Sequence, residues 1–312
     1  MTENYKKFNE TTLSNFQARY GEAIPDNDFP VNEFIENILA RKTVRRFLDK
    51  QIDPKLFEKL IACAQSAPTS SMIQPWSIIV LKDKKQKFKF FHPDIIRHTG
   101  ILMPGNNNGE RSDPSNFKAI TECAIFIIWL VDCSVMDKIF TDQSLSESHP
   151  ELEDRRKLAY ESVSNSNYEI RSICDAVIAA QTFCLAAESM GLGTMYCGSV
   201  RTMDLKEKFN IPDHAMPLFG ICVGYPENSV NPKTGIANSV KPRLPQRFMV
   251  HDNMYQSKDF NDVKSYNKLL ELFYKIHNLG RDWFYRVITR TQVSNANLRY
   301  RELMEKYGFK FK

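Results

Sequence analysis

Long apolar runs are missing from this 312-residue chain: the longest, Ala124 to Val131, falls far short of the roughly 20 residues a spanning helix needs, so no membrane span is expected. The first residues, MTENYKKFNE, lack the apolar stretch followed by small residues that marks a secretory signal. A cytoplasmic protein is the expectation. Cysteine occurs seven times, at 63, 123, 133, 174, 184, 197 and 222, but never as C-x-x-C and never beside a His-rich stretch. That spacing argues against both a zinc site and a disulfide framework. Most of these thiols lie in apolar sequence, where cysteine packs as a small hydrophobe, and none is assigned a catalytic role. The six histidines include no H-E-x-x-H and no pair at i, i+4, so no metal is expected. The formal net charge of +5 is spread and not gathered into a basic block, which speaks against nucleic acid. A mild cationic excess does suit an enzyme that holds phosphorylated ligands.

No repeat of fixed period is visible. Residues 1–30 are polar and read as an extension or partly ordered arm. Residues 31–250 read as the core of the fold and 251–312 as a helical extension of the same domain. From Val31, apolar residues at 31, 34, 35, 38 and 39 make one helical face, and Asp53-Pro54 opens a second helix that Pro68 ends; both are expected to pack on a core. Trp76 to Leu81 is a β-branched run bounded by turn residues, the pattern of a buried strand. Phe90 to Phe117, with Pro, Gly, three consecutive Asn and Asp-Pro, has turn chemistry and reads as a long surface excursion. A second buried strand is expected over Ala124 to Val131 and a solvated insertion over Ser144 to Lys157. Tyr168 to Met190 repeats apolar residues at helical spacing up to Gly191, which stops it. Short strands near Thr194 to Cys197 and Leu218 to Gly224 follow, then amphipathic helices over Val263 to Ile276 and Leu298 to Tyr307. The mixed order points to α+β architecture and not to alternating βαβ units.

Three basic-polar clusters carry the chemistry. Arg41-Lys42-Thr43-Val44-Arg45-Arg46-Phe47 follows a helix C-terminus, where cations meet the helix dipole favourably. Ala67-Pro68-Thr69-Ser70-Ser71-Met72-Ile73-Gln74-Pro75-Trp76 is a helix stop crowded with hydroxyl donors and acceptors. Lys241-Pro242-Arg243-Leu244-Pro245 projects two cations from a loop stiffened by proline. Each alone is an ordinary cap, turn or exposed loop.

Together and in this order they resemble the nitroreductase family, in particular the subgroup of oxygen-insensitive NADPH nitroreductases and NADPH:FMN oxidoreductases. Ala187 to Arg201 is similar to that family's central helix and following strand, and Pro217 to Pro226 to the strand before its Lys-Pro-Arg loop. The resemblance runs from about Phe34 to the C-terminus. It implies a nitroreductase-like α+β fold, with a central mixed, mainly antiparallel sheet flanked by helices, in an intertwined homodimer. It implies FMN as cofactor, NADPH or NADH as electron donor, and a small planar acceptor such as a nitroaromatic, quinone or flavin, reduced by two-electron ping-pong hydride transfer through flavin N5. On that pattern Arg41, Lys241 and Arg243 take the FMN phosphate, which a guanidinium binds bidentately. Arg45, with Thr43 beside it, faces flavin N1 and O2, where a fixed cation favours the reduced anion. Lys42 stands where arginine is commoner. Tyr196, Cys197, Gly198 and Ser199 flank N5; the subgroup's Gly-Gly is Gly-Ser here, so Ser199 needs backbone a side chain tolerates. Thr69 and Ser71 meet the flavin rim, Met72 lies on the substrate's path, and Lys275 and Arg281 correspond to the subgroup's Arg-rich NADPH loop. Free-flavin reduction, other specialised flavin chemistry on the same fold, and a non-catalytic FMN-binding protein stay open as alternatives.

Overall fold

The computed structural model describes residues 10–20, 31–91, 114–163, 166–198, 203–227, 240–257, 259–276 and 282–290. In chain order its elements begin with helices α1 (Glu10–Tyr20), α2 (Glu33–Ala40) and α3 (Pro54–Gln65), strand β1 (Trp76–Leu81), and helices α4 (Lys84–Phe91) and α5 (Pro114–Glu122). Strand β2 (Ile125–Asp132) leads to helices α6 (Ser134–Thr141), α7 (Gln143–Ser148), α8 (Glu153–Val163) and α9 (Ser166–Ser189). Strand β3 (Gly193–Cys197), helix α10 (Met203–Lys208), strand β4 (Ala215–Gly224), and helices α11 (Phe260–Ile276) and α12 (Trp283–Arg290) complete them. Among the described residues the chain divides into two compact units: one joins the part up to Thr43 to the part from Glu227 to Arg290, and the other holds Val44–Pro226.

The Val44–Pro226 unit is built on a four-stranded sheet of order β1-β2-β4-β3, antiparallel at every pairing. Opposed residues of an antiparallel pair share a face. Trp129, opposite Phe219, meets Phe183 of α9 at 6.0 Å, whereas Phe126, opposite Cys222, meets Phe91 of α4 at 4.9 Å. With both faces covered, β2 and β4 read as unbroken apolar runs and not as alternation. β4 starts at Ala215, earlier than Leu218, because Pro217 is tolerated inside it: the register shifts between Trp129 and Leu130 directly opposite, and such an irregularity accepts a residue without an amide proton.

Asp53 caps α3 by accepting the Lys55 amide at 2.7 Å, and Pro54 fills the first turn. α9 lies against α3 and the sheet with Ala176, Ala179, Ala180, Phe183, Cys184 and Ala187 sealed from solvent. Gly191, at φ 76°, ends it, and the Leu192 amide returns to the Ala187 carbonyl at 3.0 Å. Ile170–Ser189 has the length and apolar composition to cross a membrane, yet this buried side makes it the core helix of the unit; Val177 and Ile178, on its other side, are exposed. The expected insertion at 144–157 is helical, held by Arg156 on Glu153 at 3.0 Å and on the Phe140 carbonyl. The excursion expected from Phe90 is helix at its two ends, in α4 and α5, and 92–113 lies outside the described residues, as does the helix expected at 298–307.

In the other unit α1 packs beside α2, which Asn32 caps by accepting the Ile35 amide at 3.0 Å. The expected core face of α2 is a correction. Val31 is buried and Ile35 and Leu39 half-buried, but Phe34 is 57% exposed and Ile38 exposed, because the apolar stripe is wider than the cover this short helix receives from its own chain. α11 and α12 join through Phe260 stacked on Phe284 at 6.0 Å, Tyr266 edge-on to Trp283, and the Phe284 amide on the Asn267 carboxamide at 2.8 Å.

Candidate functional site

Arg45 is carried by a segment laid across the ends of β3 and β4. The Val44 amide donates to the Thr194 carbonyl at 2.9 Å, Phe47 is buried and bridges to Pro226, and the Leu48 amide donates to the Tyr225 carbonyl at 2.9 Å. Gly193 and Gly224, opposed in the register, permit the approach: a Cβ on Gly193 would lie 2.6 Å from Val44 Cγ2, and one on Gly224 3.0 Å from a Phe47 ring carbon. Arg45 itself is exposed. Along β3, Tyr196 donates its hydroxyl to Gln181 on α9 at 3.2 Å and packs edge-on against Phe219. Cys197 is buried, so a ligand there meets its backbone only. Gly198 is exposed, with nothing within 4 Å of the place a Cβ would occupy, which leaves its backbone open to a flat ligand. Ser199 lies outside the described residues.

The Thr69–Gln74 loop is strained. Ser71, Met72 and Gln74 all have positive φ, 51°, 55° and 52°, a conformation that side chains disfavour. Such residues cost of order 1–3 kcal/mol each and persist only where their surroundings impose them. Here Asp175 imposes it from α9: 7% exposed, it accepts the Ser70 amide at 2.9 Å. Within the loop, Thr69 Oγ1 accepts the Gln74 amide at 3.2 Å, and beyond it Trp76 stacks on Trp129 at 5.2 Å. Thr69 is therefore half-buried and bonded to its own loop, Ser71 is exposed, and Met72 projects outward at 83% exposure. At the foot of this loop Asp132 accepts the Ser134 amide at 3.0 Å. Burial pushes its carboxyl up, but hydrogen bonds from Ser134 and Ser77 outweigh that and hold it below the usual range.

The unit that holds α1 and α2 carries the other cations. Arg41 is the C-cap of α2 and is half-buried, while Lys42 and Thr43 are exposed. Arg19, on the last turn of α1, donates to the Leu39 carbonyl at 3.1 Å and to the Arg41 carbonyl. One residue earlier, the Ala18 carbonyl accepts the Arg243 amide at 2.9 Å. The Lys241–Arg243 loop is further held by Tyr266, whose hydroxyl donates to the Pro242 carbonyl at 3.1 Å, and by Arg243 Nη1 bonding back to the Lys241 and Pro242 carbonyls. Burial raises the Tyr266 hydroxyl above its usual range, against the opposing pull of Arg243. Lys275 is exposed on the last turn of α11, and Arg281 lies outside the described residues.

Two supports escaped sequence reasoning. Arg19 sits in a stretch read only as polar, and Asp175 is a carboxylate on the buried side of a mainly apolar helix face. The second was a signal of a kind, because a buried charge needs a partner. Among the described residues no three His, Cys, Asp or Glu are grouped to hold a metal. Each unit by itself offers groups suited to one part of a flavin mononucleotide: in one, guanidinium and ammonium groups whose backbone is bonded to the end of α1 suit a phosphate, and in the other, open backbone and a polar strained loop suit a flat ring.

A profile of the nitroreductase family matches residues 38–225, and one of the nitroreductase family C-terminal domain matches 241–312. The chain is 30% identical over 256 residues to an FMN reductase (NADPH) of Bacillus subtilis, covering 80% of this chain and 87% of that protein. It is 27% identical over 246 residues to an NADPH-flavin oxidoreductase of Vibrio harveyi, covering 78% and 83%. The solved structure of B. megaterium NfrA1 superposes with a TM-score of 0.68 at 26% identity, over 89% of this chain and all of that one.

Proposed function

Because this chain belongs to the nitroreductase family, we propose that it is an FMN-dependent oxidoreductase that takes electrons from NADPH and passes them, two at a time in a ping-pong cycle, to small planar acceptors such as nitroaromatics, quinones or flavins. One observation carries this reading: Arg41 and the Lys241–Arg243 loop, 200 residues apart in sequence, are both bonded to the end of α1. Bound FMN supplies the hydride-accepting and hydride-donating centre, which no side chain can provide.

Arg41, Lys241 and Arg243 bind the phosphate, Lys42 follows Arg41 in the chain, and Thr43 lies beside Arg45 at the ring. Arg45 places a cation where negative charge grows on reduction. Tyr196, Cys197, Gly198 and Ser199 offer backbone to the reactive edge of the ring, Gly198 lacking any side chain to hold a ligand off. Thr69 and Ser71 meet the ring's rim, and Met72 forms an apolar wall for the incoming acceptor. Lys275 and Arg281 attract the extra phosphate of NADPH. Residues 31–250 form the FMN-binding core, with 1–30 and 251–312 as extensions.

The protein works in the cytoplasm as a homodimer. The exposed apolar residues Val177 and Ile178 on α9, and Leu269, Leu272 and Ile276 on α11, support a second copy as their cover. The names of the B. subtilis and V. harveyi relatives favour free flavin as a second class of acceptor. Steady-state kinetics with NADPH varied at several fixed nitroaromatic or quinone concentrations tests the cycle. Parallel double-reciprocal lines are expected; intersecting lines contradict a ping-pong route.

A further inference from the structure

We propose that the last turn of α1 is a brace that pre-organises the phosphate grip, with Arg19 as its positioning residue; this rests on the FMN reading above. α1 precedes the residues matched by the family profile, which begin at 38, so the brace lies in this chain's own N-terminal part. The geometry is a two-sided clamp. On one side the Arg19 guanidinium donates to the Leu39 carbonyl at 3.1 Å and to the Arg41 carbonyl, fixing the backbone from which the Arg41 side chain leaves. On the other, the adjacent Ala18 carbonyl accepts the Arg243 amide at 2.9 Å, fixing the backbone from which the Arg243 side chain leaves.

Arg19 suits this part because its planar fork satisfies two carbonyls at once, at a helix C-terminus where cations are favoured. A lysine has one point charge and no fork. Removal of the guanidinium leaves the Leu39 and Arg41 carbonyls without that partner and frees the two loops to move independently. Two long cationic side chains must then be ordered when the phosphate binds, which weakens that contact by about tenfold. The bonds of Arg19 and Ala18 go to the segments that carry the Arg41 and Arg243 side chains, so the effect falls on the phosphate and not on the flavin ring.

The test compares FMN with riboflavin, which has the same ring and no phosphate, on full-length apoprotein by fluorescence quenching. In Arg19→Ala the Kd for FMN rises about tenfold while that for riboflavin changes less than about twofold; Arg19→Lys and Arg19→Gln fall between wild type and Ala. Equal weakening of both ligands, or no change in either, overturns the proposal. Should Arg19→Ala not fold, the Lys and Gln variants decide by the same ratio. Hydrogen exchange at the Arg243 amide gives a reading that needs no flavin: it is slow in wild type and faster in the variants, and an unchanged rate also overturns the brace. A wild type that binds neither ligand refutes the FMN reading itself, whereas a wild type that prefers FMN and a variant that keeps the preference refute the brace alone.

Discussion

Gly193→Ala is the sharpest perturbation the structure offers. The added Cβ would stand 2.6, 2.7 and 2.8 Å from Val44 Cγ2, Cβ and Cγ1, closer than carbon atoms approach. Val44 cannot withdraw freely, because its amide is bonded to the Thr194 carbonyl one residue away and Phe47, three residues on, is anchored in the core. Forcing a methyl group into such a contact costs about 1–3 kcal/mol. For a protein of this size that lowers Tm by about 2–4 °C per kcal/mol. Urea unfolding followed by tryptophan emission suits the measurement, since Trp76 and Trp129 stack within the same unit. Val44→Ala removes Cγ1 and Cγ2, two of the three crowded atoms, and leaves Cβ, so the double variant is expected to recover part of the cost relative to the sum of the singles. Gly198→Ala is the control: nothing lies within 4 Å of its Cβ, so stability stays within about 0.5 kcal/mol of wild type. A Gly193→Ala variant as stable as wild type, or one additive with Val44→Ala, would refute the claim that this glycine exists to admit the Arg45 segment.

Three further outcomes are expected. Asp175→Ala removes the acceptor of the Ser70 amide, costs about 1–3 kcal/mol, and relaxes the three left-handed residues of the loop; limited proteolysis should then cut at Ser71–Met72, and an uncut loop argues against the anchor. Asp132, whose carboxyl is held below the usual range by Ser134 and Ser77, contributes stability that is complete above its unfolded pKa and is lost as pH falls through the lower folded value. Asp132→Asn should therefore lower Tm at pH 7, with the difference shrinking as pH falls below about 4 and vanishing only below the lower folded value; a pH-independent difference contradicts the charge-based account. Tyr266→Phe removes one of the donors to the Pro242 carbonyl, and FMN affinity should drop severalfold with riboflavin affinity unchanged, by the same comparison that tests Arg19.

The strands were legible where physics is local. Trp76–Leu81 matches its expected bounds because a β-branched run between turn residues has one favourable conformation. Pro217 misled, since its place inside β4 depends on a register shift in a neighbouring strand some 85 residues earlier in the chain. α4 was unreadable for a related reason: Lys87, a residue that belongs in solvent by type, is buried and donates to the Cys123 carbonyl. The family was recognisable in the wording, order and spacing of three loops. Their supports were not, because Ser70 to Asp175 and Arg41 to Arg19 are contacts between segments with no common pattern in the sequence.

The central claim is tested most directly by the visible spectrum of the purified protein, reconstituted with FMN and then given NADPH without oxygen. The account predicts bound-flavin absorption that bleaches on addition of NADPH and returns when a quinone or nitroaromatic is added. A protein that takes up no flavin, or flavin that stays oxidised under excess NADPH and NADH, would contradict it.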